Sequence, residues 1–182
     1  VNFYYQWYLL IKNETDIKQY EIFSSLFHAN KSLFSSIVIN DVYYSLINYC
    51  IRKIGRNQDA FKKELLDLYI NGIETKVLLE KDFLSPWTYK NIIRLSFGLK
   101  SYDWIDRFIE QMVDQLPRKA RSDAYHYNMA YLHFEKHEYN VAVHHLTKVE
   151  FSDVSYLMDS KILRMKIYFE ENEFEPLLAL IK

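Results

Sequence analysis

Apolar residues recur along most of the chain at the spacing of an amphipathic α-helix, in which every third or fourth position faces the same side. The clearest stripe covers 42–54, with Asp41 ahead of it as a candidate N-cap and Gly55 after it as a candidate stop. The pattern predicts helices at about 2–12, 16–29, 42–54, 60–69, 86–98, 102–116, 120–136, 139–149, 154–171 and from 174 onward.

Short polar turns, rather than glycine- or proline-rich loops, separate these segments. Gly and Pro number only three each, and an all-β domain of this length would need many more. Ser85 and Pro86 form a strong helix start, and Pro117 a stop. The segment 80–86 is the one candidate boundary, but its composition is not that of a flexible linker. We therefore expect a single all-helical domain over 1–182, with divergent hairpins in 1–80 and more regular ones in 86–182.

Three of the predicted hairpins share one frame, repeated at a spacing of about 35 residues, which is typical of stacked helical repeats. In each hairpin an aromatic residue opens the second helix, and apolar residues follow three and seven positions later. These residues are Tyr102, Ile105 and Ile109, then Tyr139, Ala142 and Leu146, then Phe174, Leu177 and Ile181. The first helix of the middle hairpin carries the small residue Ala130.

This frame resembles the tetratricopeptide repeat family, most closely at Ala130, Tyr139, Ala142 and Leu146. Tyr102, Ile109 and Pro117 also match the family pattern, and so do Phe174 and Pro176 in the last hairpin. Bulky residues replace the small ones at Ile93, Ile105 and Met165. The resemblance covers 86–182 and implies an α–α superhelix of about four to five antiparallel hairpins. Residues 43–55 are also similar to a pentatricopeptide repeat, a sister family that binds single-stranded RNA.

Composition and charge narrow the possible functions. Hydrophobic residues make up 49% and aromatics 17% of the chain, which excludes a disordered segment. With 23 basic and 24 acidic residues the net charge is −1, so no broad attraction for nucleic acid or an anionic membrane is expected. No signal peptide or membrane-spanning run is present, which favours a cytoplasmic protein. Because the chain lacks an initial Met and stops inside a helical pattern, we expect it to be a segment of a longer protein.

Candidate catalytic and metal-binding residues are few. Five of the six histidines are His126, His133, His137, His144 and His145. His133 and His137 have the i, i+4 spacing of a metal-binding pair. The chain has no second cysteine and no His-Glu-x-x-His motif, however, and surface or turn histidines are the more ordinary interpretation. The acidic run 170–175 reads as a solvated turn, and Cys50 as a small buried residue. We expect no catalytic residue, no metal and no cofactor.

The family resemblance implies that the first helix of each hairpin lines a concave groove. The positions expected to point into it are Lys90, Arg94, Tyr127, Tyr131, Phe134, Ile162, Lys166 and Phe169. From these, six are candidate partner-binding residues: Lys90, Arg94, Tyr127, Tyr131, Phe134 and Lys166. Cations beside aromatics suit a peptide with an acidic group. The asparagines of the family's carboxylate clamp are replaced by Arg94, Tyr131 and Lys166. The alternative that the three aromatics pack inside the stack stays open.

Three functions are compatible with these patterns. The first is a non-catalytic scaffold that binds a peptide or a partner domain through the concave face. The second is single-stranded RNA binding by a pentatricopeptide-like array, which requires a basic groove. The third is an architectural or dimerisation segment, favoured by the expected exposure of the last repeat at Ile181, where no polar capping helix follows in the sequence.

Overall fold

A computed structural model describes residues 2–12, 16–150 and 154–181 of the chain. These residues form ten α-helices, three short 3-10 helices and one small two-stranded sheet, which confirms the expected all-helical class. The chain divides into two compact units, Val1–Leu79 and Glu80–Lys182. The division lies at the start of the predicted boundary segment 80–86. A continuous repeat domain over the whole length stays a prediction.

The first unit contains four α-helices. They are α1 (Phe3–Lys12), α2 (Ile17–Asn30), α3 (Ser36–Gly55) and α4 (Phe61–Glu74), with a 3-10 turn at Lys31–Leu33 between α2 and α3. Helices α1 and α2 pack as one antiparallel pair, and α3 and α4 as another. The sequence predicted these four helices with close agreement at most of their ends.

The start of α3 differs from the prediction. Ser35, not Asp41, is the N-cap: its side chain accepts a hydrogen bond from the backbone N–H of Val38. The helix therefore begins six residues, or about one and two-thirds turns, earlier than the apolar stripe suggested. The expected Asp41 cap is wrong because Asp41 lies inside the helix, where its carbonyl instead accepts a hydrogen bond from Ser45.

Tyrosines with satisfied hydroxyl groups fill much of the first unit's core. Tyr20 stacks on Tyr49 with ring centroids 4.7 Å apart, and its hydroxyl donates to Glu64 at 2.7 Å. The expected burial of Cys50 is confirmed, and its thiol lies 3.6 Å from the Tyr20 hydroxyl. Burial raises the pKa of the Cys50 thiol to about 12. A buried tyrosine needs a polar partner, and the hydroxyls of Tyr20, Tyr43 and Tyr49 each have one.

The second unit contains three helical hairpins in chain order. Their helices are α5 (Pro86–Ser96), α6 (Tyr102–Met112), α7 (Arg121–Glu135), α8 (Tyr139–Leu146), α9 (Val154–Glu170) and α10 (Phe174–Ile181). Strands β1 (Leu79–Glu80) and β2 (Phe83–Leu84) form a short hairpin where the first unit ends and the second begins. Its two turn residues, Lys81 and Asp82, both have positive φ, as a type I′ turn requires.

Helix starts in the second unit follow the sequence signals. Ser85 is the N-cap of α5 and Pro86 its first residue. The aromatic residues of the shared frame, Tyr102, Tyr139 and Phe174, are the first residues of α6, α8 and α10. The predicted continuation of α6 to Leu116 is too long. The helix ends at Met112, and a 3-10 turn at Val113–Gln115 leads to Pro117.

The turns of the second and third hairpins in this unit have the same backbone geometry. One residue in each turn has a left-handed φ, His137 at 60° and Asn172 at 58°. The next backbone N–H reaches back to the last helical turn, from Glu138 to the His133 carbonyl and from Glu173 to the Tyr168 carbonyl, both at 2.8 Å. This is the Schellman arrangement that satisfies the free carbonyls of a helix end. The repeated frame of the sequence thus corresponds to a repeated local structure.

Helix α7 is at the centre of the second unit and packs against α5, α6, α8 and α9. Small residues permit its close contact with α8, since Ala130 and Ala142 are both fully buried. Ile93 and Ile105, which replace small residues in the first of these hairpins, are also fully buried.

The left-handed turn residue gives a stability prediction. His137→Gly should stabilise the second unit by about 0.5–1 kcal/mol, since glycine has no Cβ to oppose a positive φ. The midpoint of thermal unfolding followed by circular dichroism measures this. Asn140→Gly, at an exposed helical position of α8, is the matched control and should destabilise by about 1 kcal/mol. A lower midpoint for His137→Gly would contradict the role assigned to its backbone conformation.

Candidate functional site

A buried ion pair links the first and last hairpins of the second unit. Lys90 on α5 is only 2% exposed, and its ammonium lies 2.5 Å from Oδ2 of Asp159 on α9. The same ammonium lies 4.0 Å from the ring centroid of Trp87 and 5.4 Å from that of Tyr156. The Tyr156 hydroxyl donates to the Pro86 carbonyl at 3.3 Å. A buried cation requires such compensation, and here a carboxylate and two aromatic faces supply it.

Arg94 extends this cluster one helical turn further along α5. Its guanidinium donates a hydrogen bond to the Tyr127 hydroxyl and lies 3.8 Å from Asp159. It also lies over the rings of Tyr127 and Tyr131, at 5.8 and 5.3 Å from their centroids. Burial raises the pKa of Tyr127 to about 12, although the nearby Arg94 acts in the opposite direction. Asp159 thus faces two cations.

These contacts correct part of the predicted groove. Lys90 and Tyr127 were expected to be exposed to a partner, but they are 2% and 1% exposed. They are buried because α9 comes close enough to α5 for Asp159 to neutralise Lys90, which fills the space between the two helices. Arg94 keeps 42% of its side chain exposed, and Tyr131 is half-buried against the edge of Phe97. Two of the three predicted cations, Lys90 and Arg94, therefore bind within the unit.

The remaining two candidates, Phe134 and Lys166, lie together in an apolar groove formed by α7, α9 and α10. The groove has a volume of about 580 Å³. Its lining consists of Phe134, Ile162, Met165, Lys166, Phe169, Glu170, Leu177 and Ile181. Ile162, Phe169 and Ile181 are 48%, 62% and 60% exposed. Apolar side chains clustered at this exposure form the kind of patch that other molecules bind.

Sequence reasoning missed some residues of both features. It did not identify Asp159, because the partner of a buried lysine cannot be read from a distant helix. It placed Ile162 and Phe169 on the inward face, and both line the groove. Leu177 was assigned to the frame of the last hairpin, and it is partly exposed. Ile181, which was expected at an exposed last-repeat surface, is 60% exposed. The groove residues could have been identified from the sequence by the helical spacing of apolar residues on both α9 and α10.

Histidines of α7 and α8 form a third feature. Nδ1 of His126 lies 3.1 Å from Nδ1 of His145, and the His133 ring stacks on the His145 ring with centroids 5.6 Å apart. Burial, followed by the neighbouring His126 and His133, lowers the pKa of His145 to about 4. His137 instead contacts the Tyr139 hydroxyl at 2.8 Å, while His133 lies 2.5 Å from a carboxylate oxygen of Glu138. His133 and His137, the predicted i, i+4 pair, therefore contact different side chains.

Within the described residues, no group of three or more histidine, cysteine, aspartate or glutamate side chains is arranged to hold a metal ion. Among the same residues, no helix has the length and apolar character needed to cross a membrane. Comparison of the chain with protein-family models, with curated proteins and with solved structures finds no match. Any function assigned to the chain therefore rests on the geometry of the described residues.

The buried ion pair predicts that two substitutions destabilise the second unit to different degrees. Lys90→Met should destabilise the second unit by about 2–3 kcal/mol, and Asp159→Asn by about 3–4 kcal/mol. The second change is larger because it leaves a buried cation, whereas the first leaves Asp159, 22% exposed and still near Arg94. Urea unfolding followed by circular dichroism measures both.

Asp114→Asn is the control for this prediction, since Asp114 pairs with Arg121 at a side-chain exposure of 81%. It should change the free energy of unfolding by less than about 0.5 kcal/mol. Equal, small effects for all three variants would show that the Lys90–Asp159 pair does not stabilise the unit.

The histidine cluster gives a pH prediction. The folded-state pKa of His145, about 4, lies below its ordinary value of 6.5, so the unfolded chain binds more protons between these values. The contribution of neutral His145 to the free energy of unfolding is therefore complete above pH 6.5 and is lost as the pH drops toward 4. His145→Gln should reduce this loss, which thermal unfolding across the interval measures. His137→Gln, which changes a turn histidine outside the cluster, should follow the wild-type curve. An unchanged slope in His145→Gln would contradict the assignment.

Proposed function

We propose that this chain is a non-catalytic interaction module whose second unit binds an apolar segment of a partner protein. The observation that carries the proposal is the exposed apolar groove between α7, α9 and α10, with Phe134, Ile162 and Phe169 in its lining. Solvent exposure of such a surface is costly, and a bound helix with apolar residues at i, i+4 and i+7 would cover it.

The repeated hairpin geometry supports a tetratricopeptide-like arrangement of the second unit. Helices α7 to α10 form two hairpins whose turns have matching left-handed residues and hydrogen bonds, and α7 packs against α9 as well as against α8. In this proposal the first helices of the hairpins form the inner surface. Because Lys90 and Asp159 fill that surface near α5, the binding groove is displaced toward the α9–α10 end.

The ion pairs of Lys90 and Arg94 with Asp159 disfavour RNA binding as the function. A single-stranded nucleic acid needs free cations along its backbone as well as aromatic rings for its bases. Lys90 and Arg94, the two inner cations of α5, both face Asp159. Among the described residues, Lys166 is the only cation in the groove lining, one helical turn from Glu170. An apolar protein segment fits this surface better than a polyanion.

Selection from a phage-displayed library of helical peptides tests the proposal. We expect selected peptides to carry apolar residues at i, i+4 and i+7 and to lose at least about tenfold in affinity for a Phe169→Asp variant. Val141→Asp changes a 40% exposed apolar residue of α8 outside the groove, and it should leave binding unchanged. Fluorescence anisotropy with a labelled peptide measures the affinities.

Two results would overturn this function. One is failure to select any peptide against a protein whose circular dichroism is helical. The other is equal binding of the selected peptides to the wild-type protein and to Phe169→Asp. A saturable, salt-sensitive affinity for oligo(U), measured by the same anisotropy method, would instead favour RNA.

A further inference from the structure

Helix α9 has an exposed apolar stripe in addition to its buried face. Leu163 and Ile167 on the inner side are 2% and 0% exposed. On the outer side Met158, Ile162, Met165 and Phe169 are spaced by four, three and four residues. This is the heptad spacing with which two helices pack along each other.

The neighbouring helix widens this apolar surface. Helix α10 has no buried residue within the described part of the chain, and its Leu178 and Ile181 are 59% and 60% exposed. Leu177 and Ile181 line the same groove as the α9 stripe. One continuous surface therefore includes the outer faces of both helices, which we call the α9–α10 surface.

The charges on this surface are opposite in sign and one helical turn apart. Lys166 and Glu170 are the charged residues of the groove lining, and both lie on α9. Neither forms an ion pair within the described residues, in contrast to Lys90 and Arg94. Both are exposed. They can therefore pair with charges on whatever covers the surface.

A second copy of this chain supplies the matching charges without further assumptions. When two identical helices pack antiparallel about a two-fold axis, each residue pair across the interface occurs twice. With the axis level with Tyr168, midway between Lys166 and Glu170, Lys166 of each copy lies opposite Glu170 of the other. The same axis places Phe169 of each copy between Met165 and Phe169 of the other. A parallel arrangement would place these charges on opposite flanks of the interface, where they do not meet.

We infer that the partner of the α9–α10 surface is a second copy of this chain, packed antiparallel to form a two-fold symmetric dimer. The inference rests on the proposed function, because it names the occupant of the same groove. In the dimer, the apolar stripes cover each other and the Lys166–Glu170 pairs flank them. The pairs fix the orientation, and the apolar contacts supply most of the binding free energy.

Sedimentation velocity of the full chain over a range of concentrations tests the inference. The wild-type protein should show a monomer–dimer equilibrium, and Phe169→Asp should weaken the dimer at least about tenfold. Val141→Asp, outside the surface, is the matched control and should leave the equilibrium unchanged. Circular dichroism confirms that each variant is folded.

A charge exchange tests the two-fold arrangement itself. Lys166→Glu should weaken the dimer about tenfold, since each Glu170 then faces a second carboxylate. The double variant Lys166→Glu/Glu170→Lys restores opposite charges and should return the dissociation constant to within about threefold of the wild-type value. Recovery supports reciprocal pairs, because a contact with an unrelated partner or another face would not be restored.

The outcomes separate this inference from the proposed function. A monomeric wild-type protein that binds selected peptides in the groove overturns the dimer and leaves the interaction module standing. A dimer that Phe169→Asp does not weaken has its interface elsewhere, and this also overturns the inference. A double variant that fails to recover overturns the antiparallel geometry. A protein that neither dimerises nor binds peptides through the groove overturns both.

Discussion

The Lys90–Asp159 ion pair is the constraint on which the form of the second unit depends. It joins α5 to α9, helices that belong to the first and third hairpins of the unit. Burial of the Lys90 ammonium at 2% exposure is unfavourable without a carboxylate partner, so α9 must lie within reach of α5. Trp87, Tyr156 and Tyr127 then fill the space around the pair. The space between α5 and α9 is consequently occupied by this ion pair and the aromatic rings around it.

The apolar groove differs from the region around the ion pair because its side chains remain exposed. Where α5 and α9 meet, every cation of the inner surface has an internal partner, so little binding energy is left for another molecule. Toward the α9–α10 end, the side chains of Ile162 and Phe169 remain exposed and Lys166 has no ion pair among the described residues. The exposed apolar groove thus lies at one end of the unit. In the proposed function, this distribution is the reason why an apolar partner suits the surface better than a charged one.

The sequence predicted the helices well because their boundaries depend on local chemistry. Ser85 with Pro86 begins α5, and the aromatics Tyr139 and Phe174 begin α8 and α10, each after a turn that only a few residues can form. Asp41 was a misleading cap signal because Ser35, six positions earlier, offers the same chemistry. The candidate site was less predictable. Whether Lys90 faces solvent or Asp159 depends on how α9 approaches α5, and no local pattern specifies that distance.

The position of Cys50 has a consequence for following the two units separately. It is the chain's one cysteine, and it is fully buried in the first unit beside Tyr20. Its thiol, with a pKa raised to about 12, is neither accessible nor ionised near neutral pH. Alkylation of the native chain therefore requires opening of the first unit. The rate at which Cys50 is alkylated in the unmodified protein therefore reports the opening of the first unit. Unfolding or binding events confined to the second unit leave this rate unchanged.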